Sequence, residues 1–264
     1  MYKAIFLDLD GTLLDDQKNI SDENKEAIKY AKANGALVCI ASGRPICATK
    51  NFWKIANPSK YIIYSNGAGI YDCDKNESLF TVGIEKEICI CLYNYSIQNE
   101  ICIRFDTPYG RFVNDEKYIL NSDALFHEDG IQIISDNDIL QISFICEDKE
   151  KIRNAFKYVN ENIKSNIKVE DMFVTGTENN FFAISIVNSS VSKGNAIYGL
   201  CKYLKIDIKD AIAIGDGIND ISMIKMVGFG VAMGNATVEL KQNAKEVTST
   251  NNENGVAKIL KSKF

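Results

Sequence analysis

Asp8, Asp10 and Thr12 lie together in an Asp-x-Asp-Gly-Thr stretch at the end of the apolar run Ala4 to Leu7. A second acidic stretch, Gly-Asp-Gly-Ile-Asn-Asp at 215–220, follows the apolar run Ala211 to Ile214. Two carboxylates so close in the chain repel unless a cation sits between them or one keeps its proton. Both remedies suit phosphoryl transfer, and hard, oxygen-rich ligands of this kind favour magnesium. Asp-Gly after a strand is also an ordinary turn, with Asp10 and Thr12 bonding to local backbone, and the first stretch alone leaves that reading open. The second narrows it. Asn219 and Asp220 make sense as helix caps, but a third carboxylate, Asp216, brought near Asp8 and Asp10 has no structural benefit without a shared cation.

Two further positions point to an anion. Ser42-Gly43, after the apolar segment 36–41, offers a hydroxyl and open backbone N–H groups suited to phosphate oxygens, although a serine capping the next helix explains the pair equally simply. Lys193 falls at the start of a helix, where a cation is unfavourable by about 0.3–1 kcal/mol unless an anion shares the space. A lysine reaching out to water is the plain alternative.

The elements that must position these residues follow from the apolar pattern. Ala4–Leu7 reads as a buried strand. Ser21 can cap a helix running to about Asn34, with Ala27, Ile28 and Ala31 inward and Gly35 closing it. ALVCIA (36–41) is a second strand, a helix covers roughly Ile46 to Ala56, and YIIYSNGAG is a third strand ending at Asn66-Gly67. Strand and helix alternate, which predicts a parallel sheet with right-handed crossovers. From about Thr81 the texture becomes isoleucine-rich and more alternating, which predicts an α+β insert. The first pattern returns with AISIV (183–187), a helix from Ser192, the strand AIAIG, a short helix from Asn219, the strand GFGVAM and a terminal helix ending near Leu260. The expected organisation is a core over 1–82, an insert over 83–184 and the rest of the core over 185–264. The fold class is α/β, a doubly wound, mostly parallel sheet carrying an inserted α+β domain. Open sheets of this kind bind ligands at the carboxyl ends of their strands, where all the polar residues above fall.

Composition sets the bounds. A chain of 264 residues with 46% hydrophobic residues can bury a large core, and its net charge of −5 with no long Lys/Arg run argues against nucleic acid or a polybasic membrane patch as partner. The eight cysteines include no CxxC pair, and His127 is the only histidine, so buried reduced thiols are expected and a His/Cys zinc site is not. No leader or membrane-length apolar run is evident, and a soluble cytoplasmic protein is expected.

With these motifs in hand, the chain resembles the haloacid dehalogenase superfamily of phosphohydrolases, in particular the Cof-type group with the type IIB cap. The resemblance rests on DLDGTLL at 8–14, ASGRP at 41–45, SNGAGI at 65–70, SKG at 192–194, GDGIND at 215–220, VAMGNA at 231–236 and the closing NENGVAKIL. It implies that Asp8 is the nucleophile and forms an aspartyl-phosphate. It implies that Asp10 is the general acid and then the general base. Magnesium would be held by Asp8, the main-chain carbonyl of Asp10 and Asp216, with Asp220 behind them. The transferring phosphate would be held by Leu9 (main chain), Thr12, Ser42, Gly43, Lys193 and Asn219. Asp10 speaks for phosphoester over carbon–halogen chemistry, since the family's dehalogenases lack that second aspartate. Ser42 stands where many relatives have threonine, and the approach to Lys193 lacks a frequent proline.

The expectation is a magnesium-dependent phosphatase of small phosphorylated metabolites, sugar phosphates first, with flavin mononucleotide or pyridoxal phosphate behind. A phosphosugar mutase and a non-catalytic phosphate-responsive module are the alternatives. Arg104, Arg111, His127 and Asn180 are polar residues of the insert that could face a substrate.

Overall fold

The computed structural model describes residues 2–119, 124–163, 166–176 and 180–264, and the side chains of all of these except 170–176 and 180. They form two compact units, Met1–Phe80 with Val191–Phe264, and Thr81–Ser190.

The first unit begins with β1 (Ala4–Leu7), α1 (Asp22–Ala33), β2 (Leu37–Ala41), α2 (Ile46–Ala56), β3 (Tyr61–Tyr64), β4 (Gly69–Asp72) and β5 (Glu77–Thr81). Every residue of β1 is buried, as a strand covered on both faces requires. Helix α1 starts where Ser21 Oγ accepts the Asn24 N–H at 3.1 Å, with Asp22 and Glu23 complementing its dipole. It buries Ala27, Ile28 and Ala31, and Gly35 follows it.

The second unit runs through α3 (Lys86–Gln98), β6 (Cys102–Asp106), β7 (Arg111–Val113), β8 (Ala124–Phe126), α4 (Gly130–Asp136), β9 (Gln141–Cys146), α5 (Lys149–Asn162), β10 (Ile167–Gly176) and β11 (Asn180–Asn188). Its sheet order is β10-β11-β9-β6-β7-β8, antiparallel except for the parallel pair β7–β8. Phe105, Phe144 and Ile184 of this sheet cluster with Leu92 of α3, Ile133 of α4 and Ile152 of α5.

The first unit resumes with α6 (Lys193–Tyr203), β12 (Ala211–Gly215), α7 (Ile221–Met226), β13 (Phe229–Ala232), α8 (Val238–Asn243), β14 (Glu246–Val247) and α9 (Gly255–Lys263). Its sheet order is β14-β13-β12-β1-β2-β3-β4-β5. The pairs from β14 across to β3 are parallel, and β4 returns antiparallel to β3. The architecture is the mixed α/β, parallel-rich sheet that the alternating pattern predicts.

Two local expectations are corrected. AISIV, read as the first strand of the returning core, lies in β11 and pairs antiparallel with β9 and β10. A short apolar run fits either sheet, and only its hydrogen-bond partners decide. YIIYSNGAG is not one strand: β3 stops at Tyr64, and Asn66 in the left-handed region (φ 55°) turns the chain back into β4.

Among the described residues, no helix is long and apolar enough to cross a membrane. All eight cysteines are unbridged. Burial pushes the thiols of Cys89 and Cys102 up to about 12, as expected of structural rather than reactive cysteines.

Candidate active site

The site is built at the carboxyl ends of the central strands β1, β2 and β12. Asp8 follows β1 directly, and its N–H donates to the Ile214 carbonyl of β12 at 3.0 Å, so the two acidic stretches are tied by the sheet itself. Gly11 then takes φ +74°. A β-carbon at Gly11 would stand 2.2 Å from Asp216 Oδ2. Close approach of the Gly11 backbone to Asp216 is therefore possible only for glycine. Gly11→Ala is expected to cost about 1–2 kcal/mol of backbone strain, and more from displacing Asp216. Urea denaturation would show the lost stability, and phosphate release should be disabled with it.

The centre of the site is a buried ion cluster. Lys193, the first residue of α6, is wholly buried. Its Nζ donates to Asp8 Oδ1 at 2.5 Å and to Asp220 Oδ1 at 2.6 Å. Ser192 caps the helix by accepting the Asn195 N–H, which fixes where Lys193 begins. Asp220 uses its other oxygen, Oδ2, to accept the N–H groups of Asp216 (3.0 Å) and Gly217 (2.9 Å). That bond closes the loop after β12 and aims Asp216. One oxygen each from Asp8, Asp216 and Asp220 lie within 4.8 Å of one another.

The electrostatics follow from burial. Removal from water raises the Asp8 carboxyl well above the carboxylate range, the Asp220 charge raises it further, and Lys193 opposes both. Asp216 is raised for the same first two reasons. Burial works against the Lys193 ammonium, but Asp8 and Asp220 outweigh it and hold the proton more tightly than in water. One buried lysine bonds two of these carboxylates, Asp8 and Asp220, and the third, Asp216, stands beside them. A hard divalent cation fits this oxygen donor set and would neutralise it.

Asp10 stands apart from the cluster. Arg44 grips its carboxylate with two bonds, Nε to Oδ2 at 2.7 Å and Nη2 to Oδ1 at 2.6 Å, and Lys18 Nζ adds a third at 2.8 Å. Burial opposes ionisation here, but the two cations prevail and hold Asp10 down at about 2. Its carboxylate is thus committed to Arg44 and Lys18, which leaves the main-chain carbonyl as the part of Asp10 suited to a metal.

The remaining expected residues are brought to the same sheet edge in different roles. Thr12 is buried, and its hydroxyl donates to Asp216 Oδ1 at 3.1 Å. Its position beneath the carboxylates suits orienting Asp216 better than meeting a phosphate. Ser42 is buried and its Oγ accepts the Arg44 N–H at 3.1 Å; α2 begins later, capped by Pro45 without a side-chain bond. Leu9 is fully buried and contributes its main chain. Asn219 Nδ2 donates to Asn66 Oδ1 at 2.9 Å. The same Asn66 oxygen would stand 2.9 Å from a β-carbon at Gly43, so Gly43, Asn66 and Asn219 form one polar surface.

Sequence reasoning missed Asn66, Arg44 and Lys18. Their signals were there: Asn before Gly at a strand end, Arg directly after Ser-Gly, and Lys in the loop after Asp10. Also missed was the brace on the loop after β1, in which Asn235 Nδ2 donates to the Gly11 carbonyl and Asn251 Nδ2 to that of Leu14. Of the insert's candidates, Arg104 and Arg111 both meet Asp106. The His127 ring packs edge-on against Phe112. The side chain of Asn180 lies outside the described residues.

A relative in Bacillus subtilis, 5-amino-6-(5-phospho-D-ribitylamino)uracil phosphatase YcsE, is 31% identical over 98% of this chain and 94% of its own. Phosphatase YwpJ of the same organism is 30% identical, covering 98% of this chain and 99% of its own. The crystal structure of TM0651 from Thermotoga maritima superposes with a TM-score of 0.88 at 25% identity, covering 99% of this chain and 97% of that one. The sequence profile of the haloacid dehalogenase-like hydrolases matches residues 5–260, nearly the whole chain. With the aspartates, the lysine and the strand ends that carry them all inside that match, the chain belongs to the haloacid dehalogenase-like hydrolase family.

Proposed function

We propose that the protein is a magnesium-dependent phosphatase of small phosphorylated metabolites, with sugar and polyol phosphates first and flavin mononucleotide or pyridoxal phosphate behind. The observation that carries this reading is Lys193, buried between Asp8 and Asp220 beside Asp216. It is a carboxylate nucleophile held against a fixed cation, with room in the donor set for a second positive charge. Two relatives named as phosphatases, one acting on a phosphoribityl compound, support both the reaction and the substrate class.

In this mechanism an Asp8 oxygen attacks phosphorus, the ester P–O bond breaks and an aspartyl-phosphate forms. Asp10 gives a proton to the departing alcohol oxygen, then takes one from the water that hydrolyses the acyl phosphate. For this, Asp10 must leave the grip of Arg44 and Lys18 and take up a proton from solvent before the first turnover, and an incoming phosphoryl dianion competes for the same two cations. Lys193, the Ser42 hydroxyl, the Gly43 N–H, Asn219 and the main chain at Leu9 hold the transferring group, while Thr12 and Asp220 keep Asp216 in place. Magnesium would be held by Asp8, the Asp10 carbonyl and Asp216, with Asp220 behind them, and when bound it supplies the charge that lets two anions meet.

The test is phosphate release from a panel of sugar phosphates, flavin mononucleotide, pyridoxal phosphate and para-nitrophenyl phosphate, with magnesium and with a chelator. Release is expected only with the metal. Magnesium should also raise the melting temperature of the metal-free protein, because it binds the folded state alone. A folded, metal-loaded protein that releases phosphate from none of these compounds would sink the phosphatase reading.

A further inference from the structure

Between β3 and β4 the chain passes through three consecutive residues in the left-handed region, Ser65 (φ 48°), Asn66 (φ 55°) and Gly67 (φ 97°). Joining the two strands does not need such a run, since connections of this length are most often built around an ordinary type I turn. Asparagine tolerates the left-handed region, serine visits it rarely, and a run of this kind persists only where its surroundings hold it. Here they do. The Ser65 N–H donates to the Arg44 carbonyl at 2.9 Å and the Asn66 N–H to the Ser42 carbonyl at 3.1 Å, which ties the turn to the loop after β2. On its other side Gly67 lies against the start of α6, where a β-carbon would stand 2.3 Å from the Ser192 carbonyl oxygen and 3.0 Å from the Lys193 nitrogen. The turn is thus wedged between two of the segments assigned to the phosphoryl group.

Its one polar side chain to face the third such segment is Asn66, which is half-buried and accepts the Asn219 Nδ2 on its Oδ1 at 2.9 Å. Asn219 itself is exposed, in the short turn after β12. An exposed asparagine rotates readily, and its amide has two ends of nearly equal shape and opposite polarity. The bond to Asn66 selects between them. The donor end of Asn219 lies beside Gly43, 3.6 Å from where a β-carbon there would stand, and its carbonyl end lies beside Gly217, 2.7 Å from the corresponding point. A β-carbon at Gly43 would also stand 2.9 Å from the Asn66 oxygen, so the bare backbone at Gly43 makes room for the pair. A reversed Asn219 amide would set oxygen against oxygen at Asn66 and offer an acceptor where phosphoryl oxygens need a donor.

We propose that Asn66 is a positioning residue. By accepting one N–H of Asn219, it holds that amide donor-first beside Gly43 and leaves the second N–H for an oxygen of the transferring group. Resting on the phosphatase reading, this makes the left-handed turn after β3 part of the phosphoryl-binding apparatus, acting through Asn219 and not by contact. The strained backbone then has a purpose: it fixes the acceptor that orients an otherwise mobile donor.

The test compares Asn66→Gly, Asn66→Ser, Asn219→Ala and the double variant Asn66→Gly with Asn219→Ala. Glycine keeps the left-handed turn and removes only the amide, and serine keeps the β-carbon with a hydroxyl too short to replace it, so both should melt cooperatively near the parent temperature. In each, kcat/KM for para-nitrophenyl phosphate should fall by about 10-fold, chiefly in kcat, as for a donor used most in the transition state. Asn219→Ala should lose at least as much, and Asn66→Gly added to it should cost nothing more, because no amide is left to orient. Orthovanadate, which takes the five-coordinate geometry of a transferring phosphoryl group, gives a readout without turnover. Calorimetric titration in magnesium should show binding that weakens by about 10-fold in Asn66→Gly, and equally in Asn219→Ala and the double variant. Unchanged kcat/KM and vanadate affinity in either folded Asn66 variant, effects that multiply in the double variant, or a parent that binds no vanadate would overturn the proposal. Asn66-dependent vanadate binding by a protein that hydrolyses no ester would keep the positioning role and remove the phosphatase reading instead.

Discussion

Asp8→Asn is expected to eliminate phosphate release, with a loss of about 10⁴-fold or more in kcat, as when the nucleophile of a covalent mechanism is removed. The amide is nearly isosteric and still accepts the Lys193 hydrogen bond through its oxygen, so positioning is preserved and only nucleophilicity is lost. Stability should move the other way. Burial and the Asp220 charge disfavour the ionised Asp8 carboxyl in the fold, so a neutral side chain relieves that cost when no metal is present. The metal-free variant should melt at or above the parent temperature, and magnesium should raise its melting point less than the parent's. Activity traded against stability at one atom is the signature of a strained catalytic group. Retained turnover in the variant would remove Asp8 as nucleophile.

Lys193→Met is the second large effect and has the opposite stability sign. The ammonium is fully buried and neutralises Asp8 and Asp220 at hydrogen-bond distance. Removing one member of such a cluster leaves uncompensated buried charge, at a cost of about 3–5 kcal/mol. The loss should be read from denaturant unfolding in chelator. Magnesium should restore part of it, because a divalent cation meets the same carboxylates. Turnover should not return with stability, since the phosphoryl oxygens lose their fixed donor. A variant as stable as the parent in chelator would mean that the lysine is not the counter-ion its distances indicate.

Much of this site is legible in the sequence because its carboxylates sit directly after apolar strands. Buried parallel strands announce themselves as unbroken apolar runs, and β1, β2 and β12 are of that kind. The residue after each such strand is then at the ligand edge by topology alone. Where the sequence was silent, the deciding interaction is long-range. Nothing near Arg44 in the chain says that it will clasp Asp10, and nothing near Asn251 says that it will reach the Leu14 carbonyl. Thr12 shows the same limit, since its type suits a phosphate and only the fold turns its hydroxyl to Asp216. AISIV failed for a related reason, because apolar content predicts a strand but not the sheet that it joins.

The position of β1 has a consequence for how the protein is made. In the sheet it lies between β2, which follows it closely in the chain, and β12, whose Ala211 is the register partner of Ala4. At about 5–20 residues per second of synthesis, that second neighbour reaches the ribosome exit roughly 9–35 seconds after the first. Throughout that interval the nascent half-sheet presents an apolar edge with its hydrogen bonds unmade, and the same edge ends in Asp8. Synthesis of this enzyme therefore passes through a long window in which it is both inert and adhesive. The rate at which the ribosome crosses the insert, and the holdase capacity of the cell, should govern the yield of soluble protein more than its final stability does.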